Sequence, residues 1–195
     1  MSAETAPGKP AAMRIGVFGG SFNPIHVAHV ALGRELLAKG DLDELWYMVS
    51  PHNPLKESAD LMDERLRLEL VRLALQEDDR LKASDFEFHL PRPSYTVNTL
   101  AALRAAYPQH EFALVIGADN VLAFSRWRDT DEILRHHRVL VYRRPGYDIK
   151  HLPQGMTLIE TDLYDISSTD IREAMSRPGY RGEGLPPEVW KRLQK

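Results

Sequence analysis

The chain has 195 residues, of which 43% are apolar and 27% are charged, and its formal net charge is −3. These values are typical of one globular protein domain and argue against a general nucleic-acid binder. The chain has no cysteine, which excludes disulfides, thiolate metal ligands and a cysteine nucleophile. Its sequence also has no apolar run of membrane-spanning length.

The first twelve residues lack the apolar segment of a secretion signal. We therefore expect residues 1–12 to form a disordered leader and residues 13–195 to form a single folded domain. We also expect the protein to be cytoplasmic and to bind neither membranes nor nucleic acid.

The next segment predicts a strand, a glycine turn and a helix. Arg14 to Phe18 is a short apolar run that predicts a buried strand, and Gly19-Gly20 ends it. Asn23 is predicted to cap the following helix, with Pro24 at its first position. This helix should end near residues 39–40.

Two histidines, His26 and His29, are spaced to share one face of the first helical turn. The start of a helix offers unpaired N–H groups and a positive dipole, and glycines let a bulky anion approach the backbone. Such a pair is also found at plain surfaces or as half of a zinc site. In this strand–turn–helix context it favours a phosphate site, although neither G-x-G-x-x-G nor a P-loop is present.

The rest of the chain alternates predicted strands and helices. Further strands are predicted over residues 44–50, 81–89, 111–116, 139–142 and 157–161. Helices are predicted after Asp63 and over residues 96–106, 121–127, 131–136, 169–176 and 187–194. This alternation predicts an α/β protein with a Rossmann-like doubly wound parallel sheet, helices on both faces, and ligands at the carboxyl ends of the strands.

A second motif, Ile166-Ser-Ser-Thr-Asp-Ile-Arg172, coincides with the start of a predicted helix. Its three hydroxyls precede or open the helix, and Arg172 lies one turn further on the side of Ser168 and Thr169. Helix capping alone explains one serine.

Both motifs resemble those of the (H/T)-x-G-H nucleotidylyltransferase superfamily. The first is similar to G-G-[ST]-F-[DN]-P-x-H-x-G-H, with Ala28 at the usual glycine position, and the second is similar to I-S-S-T-x-x-R. The resemblance implies that His26, His29 and Arg172 are catalytic. The ATP-binding residues that it implies are Gly19, Gly20, Ser21, Phe22, Lys56, Gly117, Asp119, Ile166, Ser167, Ser168 and Thr169.

Three further stretches, 93–100, 116–127 and 142–147, resemble bacterial nicotinate mononucleotide adenylyltransferases. The resemblance covers residues 14–190, with Asn98 where aspartate is common and Trp190 where tyrosine is usual. It implies that Trp127 stacks on the pyridine ring and that the backbone N–H groups of Thr96 and Arg128 bind its carboxylate. It also implies ATP and nicotinate mononucleotide as substrates and Mg²⁺ carried on ATP, with no metal ligands from the protein.

Several of these residues have a second interpretation. Trp127 is either core or a stacking surface, Asp119 either caps a helix or binds a ribose hydroxyl, and Lys56 is either plain surface or a phosphate ligand. For Arg143-Arg144 we favour a solvated strand end. His136-His137 has no further ligand nearby in sequence, so we reject a metal site there.

The resemblance therefore implies adenylyl transfer from ATP to nicotinate mononucleotide, giving nicotinate adenine dinucleotide in NAD biosynthesis. The nearest alternatives are sister enzymes that act on phosphopantetheine or on nicotinamide mononucleotide. Stretch 93–100 and the Trp127 loop argue against phosphopantetheine, and they argue less firmly against nicotinamide mononucleotide. An oxidoreductase would need G-x-G-x-x-G and an acidic residue at the end of the second strand, where this chain has Ser50. The set of phosphate ligands disfavours a non-catalytic nucleotide sensor.

Overall fold

The structure, a computed structural model, describes residues 11–51, 61–149 and 151–195. Lys56 and residues 1–10 of the predicted leader therefore lie outside the described residues. Within these ranges the strands are β1 (Arg14–Gly20), β2 (Glu44–Val49), β3 (Leu81–Ser84), β4 (Glu111–Gly117), β5 (Arg138–Tyr142) and β6 (Met156–Ile159). They form one sheet in the order β3-β2-β1-β4-β5-β6, and every neighbouring pair is parallel.

Helices cover both faces of this sheet. They are α1 (Val27–Lys39), α2 (Glu64–Leu75), α3 (Thr96–Ala106), α4 (Ala118–Ala123), α5 (Thr130–His136), α6 (Ser168–Met175) and α7 (Pro187–Leu193). One apolar cluster joins the sheet to α1, α2, α6 and α7, and a second joins it to α3, α4 and α5. The predicted doubly wound architecture is confirmed. Across the described ranges, no helix combines the length and apolar character needed to cross a membrane.

The strand residues explain this two-faced burial. Along β1, Phe18 belongs to one cluster and Val17 to the other, because successive strand side chains point to opposite faces. β4 is buried from Phe112 to Gly117, as expected for a central strand of a parallel sheet. β1 and β4 are neighbours, and the helices that follow them leave on opposite faces. This arrangement opens a crevice at their carboxyl ends.

The predicted start of the first helix is wrong. Asn23 does not cap α1 and Pro24 does not open it, because the helix begins at Val27 with His26 in the N-cap position. The oxygens of Asn23 bind elsewhere: Oδ1 accepts the Met62 N–H at 3.0 Å, and the backbone carbonyl accepts the Arg172 guanidinium at 2.8 Å.

The predicted third strand also ends early. β3 stops at Ser84, and Phe86–His89 forms a 3-10 turn. Ser84 Oγ accepts the backbone N–H of Phe86 at 3.3 Å, and Glu87 turns inward, where its carboxyl accepts the Thr99 hydroxyl at 2.8 Å. Local side-chain bonding of this kind competes with a strand. By contrast, Asp63 caps α2 as predicted, accepting two backbone N–H groups of the first turn.

Candidate active site

A cavity of about 710 Å³ opens at the carboxyl ends of β1 and β4, beside the starts of α1 and α6. The predicted site residues that line it are Gly19, Gly20, Ser21, Phe22, His26, His29, Asp119, Ile166, Ser167, Ser168, Thr169 and Arg172. The predicted residues that are not in this lining are Thr96, Gly117, Trp127 and Arg128. The fold thus brings the two motifs, about 140 residues apart in sequence, to one place.

Gly19 and Gly20 suit the glycine turn for two different reasons. A Cβ at Gly19 would meet nothing within 4 Å, so this position leaves backbone open to the cavity. A Cβ at Gly20 would lie 2.9 Å from the Phe22 ring. Phe22 itself has a φ of 45°, a left-handed conformation that is costly for a bulky residue. Ala28, at the usual glycine position of the motif, is buried and lines the cavity.

The two histidines are stacked although only His29 lies within the helix. Their ring centroids are 3.7 Å apart with an interplanar angle of 28°. The backbone N–H of His26 donates to Nδ1 of His29 at 3.3 Å. A neutral imidazole that accepts at Nδ1 carries its proton on Nε2, so His29 keeps a donor for a ligand.

Burial keeps both histidines neutral. Desolvation, followed by the positive charge of Arg144, lowers the pKa of His26 to about 4. Desolvation also lowers the pKa of His29 well below its usual value, with smaller contributions from His26 and Arg144. At neutral pH the pair therefore offers uncharged N–H donors to a phosphate.

These lowered pKa values predict that acid destabilises the protein. An unfolded histidine titrates near pH 6.5 and His26 in the folded protein near 4, so the unfolded state binds protons first as the pH falls. The contribution of the neutral His26 to the free energy of unfolding is therefore complete above about pH 6.5 and is lost as the pH falls towards 4. For His26 alone the loss between pH 7 and pH 5 is about 2 kcal/mol, and His29 acts in the same direction.

Urea unfolding at pH 7 and pH 5 measures this effect. The wild type should lose more unfolding free energy over this interval than the double variant His26→Ala/His29→Ala. The buried His137, whose pKa desolvation also lowers, is present in both proteins and cancels in the comparison. Equal losses in the two proteins would contradict the pKa directions.

The second motif begins α6 and is anchored to the glycine turn. Ser167 is the N-cap, and its Oγ accepts the backbone N–H of Asp170 at 3.1 Å. The Ser168 hydroxyl donates to the Pro24 carbonyl at 2.9 Å. Both hydroxyls are therefore engaged within the protein, and the group that this turn presents to an anion is the N-terminal end of α6 with its backbone N–H groups.

Arg172 binds the two motifs together from the same side. Its Nη1 donates to the carbonyls of Asn23 at 2.8 Å and Ser168 at 3.1 Å, and its Nη2 donates to Thr169 Oγ1 at 3.3 Å. The guanidinium is half-buried in the cavity wall. Its positive charge thus lies between the starts of α1 and α6.

On the opposite wall, Asp119 lies beside Arg144. The Asp119 Oδ1 atom is buried, lies 3.7 Å from Arg144 Nε, and has no hydrogen-bond partner among the described residues. Asp119 makes no capping bond to α4. A Cβ on Gly117 would collide with the Asp119 carboxylate and lie 2.8 Å from Arg144 Cδ, so glycine makes room for this pair.

Arg144 is a charged cavity residue that the sequence interpretation does not assign to the site. Arg144 follows the end of β5 with 41% of its side chain exposed, as a solvated strand end would, but it also lines the cavity, where it lies beside Asp119 and its charge lowers the pKa of both histidines. The available signal was its position just after β5, at the ligand-binding edge of a parallel sheet.

The predicted pyridine-binding residues form a second group beside α3. Thr96 is the first residue of α3, and the Arg128 guanidinium lies 5.1 Å from the ring centre of Tyr95 just before it. Trp127 is half-buried with its ring 5.4 Å from that of Phe124, so part of it is core as the simpler interpretation held. The contact between Arg128 and Tyr95 therefore joins the start of α3 to the loop that carries Trp127.

Fold and cavity together define a nucleotide-binding α/β protein of the Rossmann-like class. The family model described as cytidylyltransferase-like matches residues 17–174. A probable nicotinate-nucleotide adenylyltransferase of Bacteroides fragilis is 47% identical over 182 residues, covering 92% of this chain and 90% of the relative. One of Bacteroides thetaiotaomicron is 44% identical over 185 residues, covering 94% and 92%. The chain therefore belongs to the nicotinate-nucleotide adenylyltransferases within the cytidylyltransferase-like family.

A solved structure shares this fold at low sequence identity. The nicotinic acid mononucleotide adenylyltransferase of Plasmodium falciparum, complexed with NaAD, matches with a TM-score of 0.77 and 17% identity. The match covers 93% of this chain and 95% of the other. At this identity it supports the architecture described above.

Proposed function

We propose that this chain transfers the adenylyl group of ATP to nicotinate mononucleotide, giving nicotinate adenine dinucleotide and pyrophosphate in NAD biosynthesis. The observation that carries the proposal is the convergence of the neutral histidine pair, the start of α6 and Arg172 on one cavity. The relatives named above, at 44–47% identity over more than 90% of this chain, support the choice of substrates.

The reaction needs no protein nucleophile. An oxygen of the mononucleotide's 5′-phosphate attacks the α-phosphorus of ATP in line, and the bond from that phosphorus to the bridging oxygen breaks. The electron pair leaves with pyrophosphate. Catalysis then consists of positioning the two substrates and neutralising the charge that develops on the α- and β-phosphates.

We assign the charge-neutralising roles to groups on the motif side of the cavity. His29, with its proton on Nε2, donates to an α-phosphate oxygen, and His26 lies stacked beside it. Arg172 and the N–H groups that begin α6 hold the β- and γ-phosphates. Lys56 is proposed as a further phosphate ligand from the sequence resemblance alone.

The remaining ATP contacts fall to the glycine turn and to Asp119. Gly19 leaves open backbone for the approach of a phosphate. The buried Asp119 Oδ1 without a hydrogen-bond partner among the described residues is suited to accept a ribose hydroxyl. This favours the ribose interpretation of Asp119 over the capping interpretation.

Magnesium fits this site as an ion carried by ATP. Asp119 is the one carboxylate that the described residues place in the cavity lining, and it lies beside Arg144, so the walls offer no cluster of carboxylates to hold a metal by themselves. Mg²⁺ typically keeps several waters and binds through substrate phosphates, and when bound it would offset the negative charge of the triphosphate. We predict that excess chelator removes nearly all turnover and that added Mg²⁺ restores it. Unchanged turnover in chelator would contradict this role.

We also propose that the enzyme prefers nicotinate over nicotinamide mononucleotide. Backbone N–H groups of Thr96 and Arg128 suit a carboxylate, which only accepts, whereas an amide would direct its own NH₂ at one of them. The Arg128 guanidinium adds positive charge beside α3. A site of this kind discriminates strongly, because the wrong substrate leaves buried polar groups unpaired.

Trp127→Ala tests the pyridine site. We expect KM for both mononucleotides to rise about tenfold, since stacking on an aromatic residue is lost for either ring, while the affinity for ATP stays unchanged. Trp190→Phe, on α7, which packs on the other face of the sheet, is the matched control and should leave both KM values unchanged. A Trp127 variant with wild-type KM for both mononucleotides would remove this residue from the site.

One assay tests the reaction itself. The protein is mixed with ATP or CTP, Mg²⁺, and in turn nicotinate mononucleotide, nicotinamide mononucleotide or phosphopantetheine, and pyrophosphate and the second product are measured. We expect the highest kcat/KM with ATP and nicotinate mononucleotide. Turnover only with phosphopantetheine, or tight nucleotide binding without any product, would overturn the proposal; a preference for the nicotinamide form would overturn only the specificity.

A further inference from the structure

Arg67 is a charged residue whose side chain is entirely buried. It lies on α2 with 0% of its surface exposed. Its guanidinium donates to four backbone carbonyls: Nε to Met62 at 3.0 Å, Nη1 to Ser21 at 2.6 Å and Ser50 at 2.9 Å, and Nη2 to Pro51 at 3.1 Å. Among the described residues it forms no salt bridge with a carboxylate, which is unusual for a buried cation.

The four carbonyls belong to three segments that meet behind the ATP side of the cavity. Ser21 is part of the glycine turn, Ser50 and Pro51 follow β2, and Met62 precedes α2. Direct bonds also join these segments, because the Ser50 N–H donates to the Gly20 carbonyl at 2.9 Å and the Met62 N–H donates to Asn23 Oδ1 at 3.0 Å. Arg67 lies at their common centre.

An apolar side chain would fill the same space without desolvating a charge. What arginine supplies is a planar fork with several donors in fixed directions, which a lysine ammonium does not reproduce. The fork fixes the Ser21 carbonyl, and with it the turn Gly19–Phe22, whose strained Phe22 backbone needs support from its surroundings. This turn lines the cavity in which we place the triphosphate of ATP.

We propose that Arg67 is a positioning residue for ATP, which fixes the turn Gly19–Phe22 in its phosphate-binding geometry without touching the nucleotide. The ligand assignment rests on the proposed function. Arg67 binds carbonyls of the glycine turn and of the segments after β2 and before α2, and none in the segments that carry Thr96 and Arg128. Its loss should therefore affect ATP and not nicotinate mononucleotide.

The test measures binding of ATP and of nicotinate mononucleotide separately, by calorimetry on the full chain. Arg67→Lys keeps the charge but loses the fork, and we expect its Kd for ATP to rise about tenfold or more, as displacement of a positioned group does. Its Kd for nicotinate mononucleotide should stay within about twofold of the wild-type value. Arg65→Met, on the exposed side of the same helix, is the matched control and should change neither value.

Three results would overturn the positioning role of Arg67: unchanged ATP affinity, equal losses for both ligands, or an unfolded lysine variant. A folded lysine variant with wild-type affinity for ATP, or with equal losses for both ligands, shows that Arg67 does not position the ATP turn. Arg67→Met removes the charge as well and should weaken ATP binding at least as much. The measurements are made at 10 °C, and if the lysine variant is unfolded there, the role of Arg67 is purely structural. Wild-type protein that binds ATP without adenylylating nicotinate mononucleotide would refute the proposed function alone.

Discussion

Replacing His29 with alanine is expected to lower kcat by about 10²–10³-fold without unfolding the protein. His29 offers the Nε2–H donor because its Nδ1 accepts the backbone N–H of His26. Its low pKa keeps it neutral, so its contribution is a directed hydrogen bond to charge that develops in the transition state. Such a bond affects kcat more than the binding of ground-state ATP.

A glutamine at the same position separates the lost donor from a lost side chain. Its amide places an N–H donor at a reach similar to Nε2, so His29→Gln should recover part of the kcat that His29→Ala loses. His136→Ala, a histidine on α5 with 39% of its side chain exposed, is the control and should be neutral. An alanine variant of His29 within threefold of the wild-type kcat would remove His29 from the catalytic groups.

The fold was predictable because its main signals are local. The apolar run 111–116 indicated a central strand, and β4 is buried as such. Asp63 indicated the start of α2, and its carboxylate accepts the first-turn N–H groups. Alternation of strands and helices then leaves few sheet topologies that keep right-handed connections, and the doubly wound order is the one observed.

Several errors arise where a residue's partner lies in another element of the fold. Asn23 was a reasonable helix cap by residue type, yet its carbonyl binds Arg172, which is 149 residues away. Glu87 falls within the predicted strand 81–89, but it lies in a 3-10 turn and points inward to meet Thr99 on α3. The buried Arg67 carried no signal at all, since its acceptors are backbone carbonyls and any sequence provides those.

Within the site, the sequence identifies the residue types, but it does not show which partners their hydrogen-bonding groups already have. Ser167 and Ser168 were assigned to ATP by resemblance, and in the structure their hydroxyls cap α6 and bind the Pro24 carbonyl. Arg144 was set aside because two adjacent arginines at a strand end are usually solvated. The structure shows that β4 and β5 are parallel neighbours, so Asp119 after β4 and Arg144 after β5 lie side by side at the cavity.

Arg172→Lys is the second change for which we expect a large effect, a fall of about 10²-fold in kcat/KM for ATP. The guanidinium donates at once to the Asn23 and Ser168 carbonyls and to Thr169 Oγ1. A lysine ammonium is a point charge that cannot keep all three directions, nor grip a phosphate with a planar fork. The loss therefore combines a displaced charge with a looser contact between α6 and the glycine turn.

Two measurements distinguish these parts. The melting temperature reports the contact between α6 and the glycine turn, and kcat/KM for ATP reports the placed charge. We expect Arg172→Lys to melt somewhat below the wild type, because the ammonium reaches only one of the two carbonyls, while the displaced charge accounts for most of the fall in kcat/KM. Arg177→Lys, just after α6 and exposed, should change neither quantity. If Arg172→Lys retains full kcat/KM, then Arg172 is a surface charge, and the pyrophosphate must be held by the N–H groups of α6 without it.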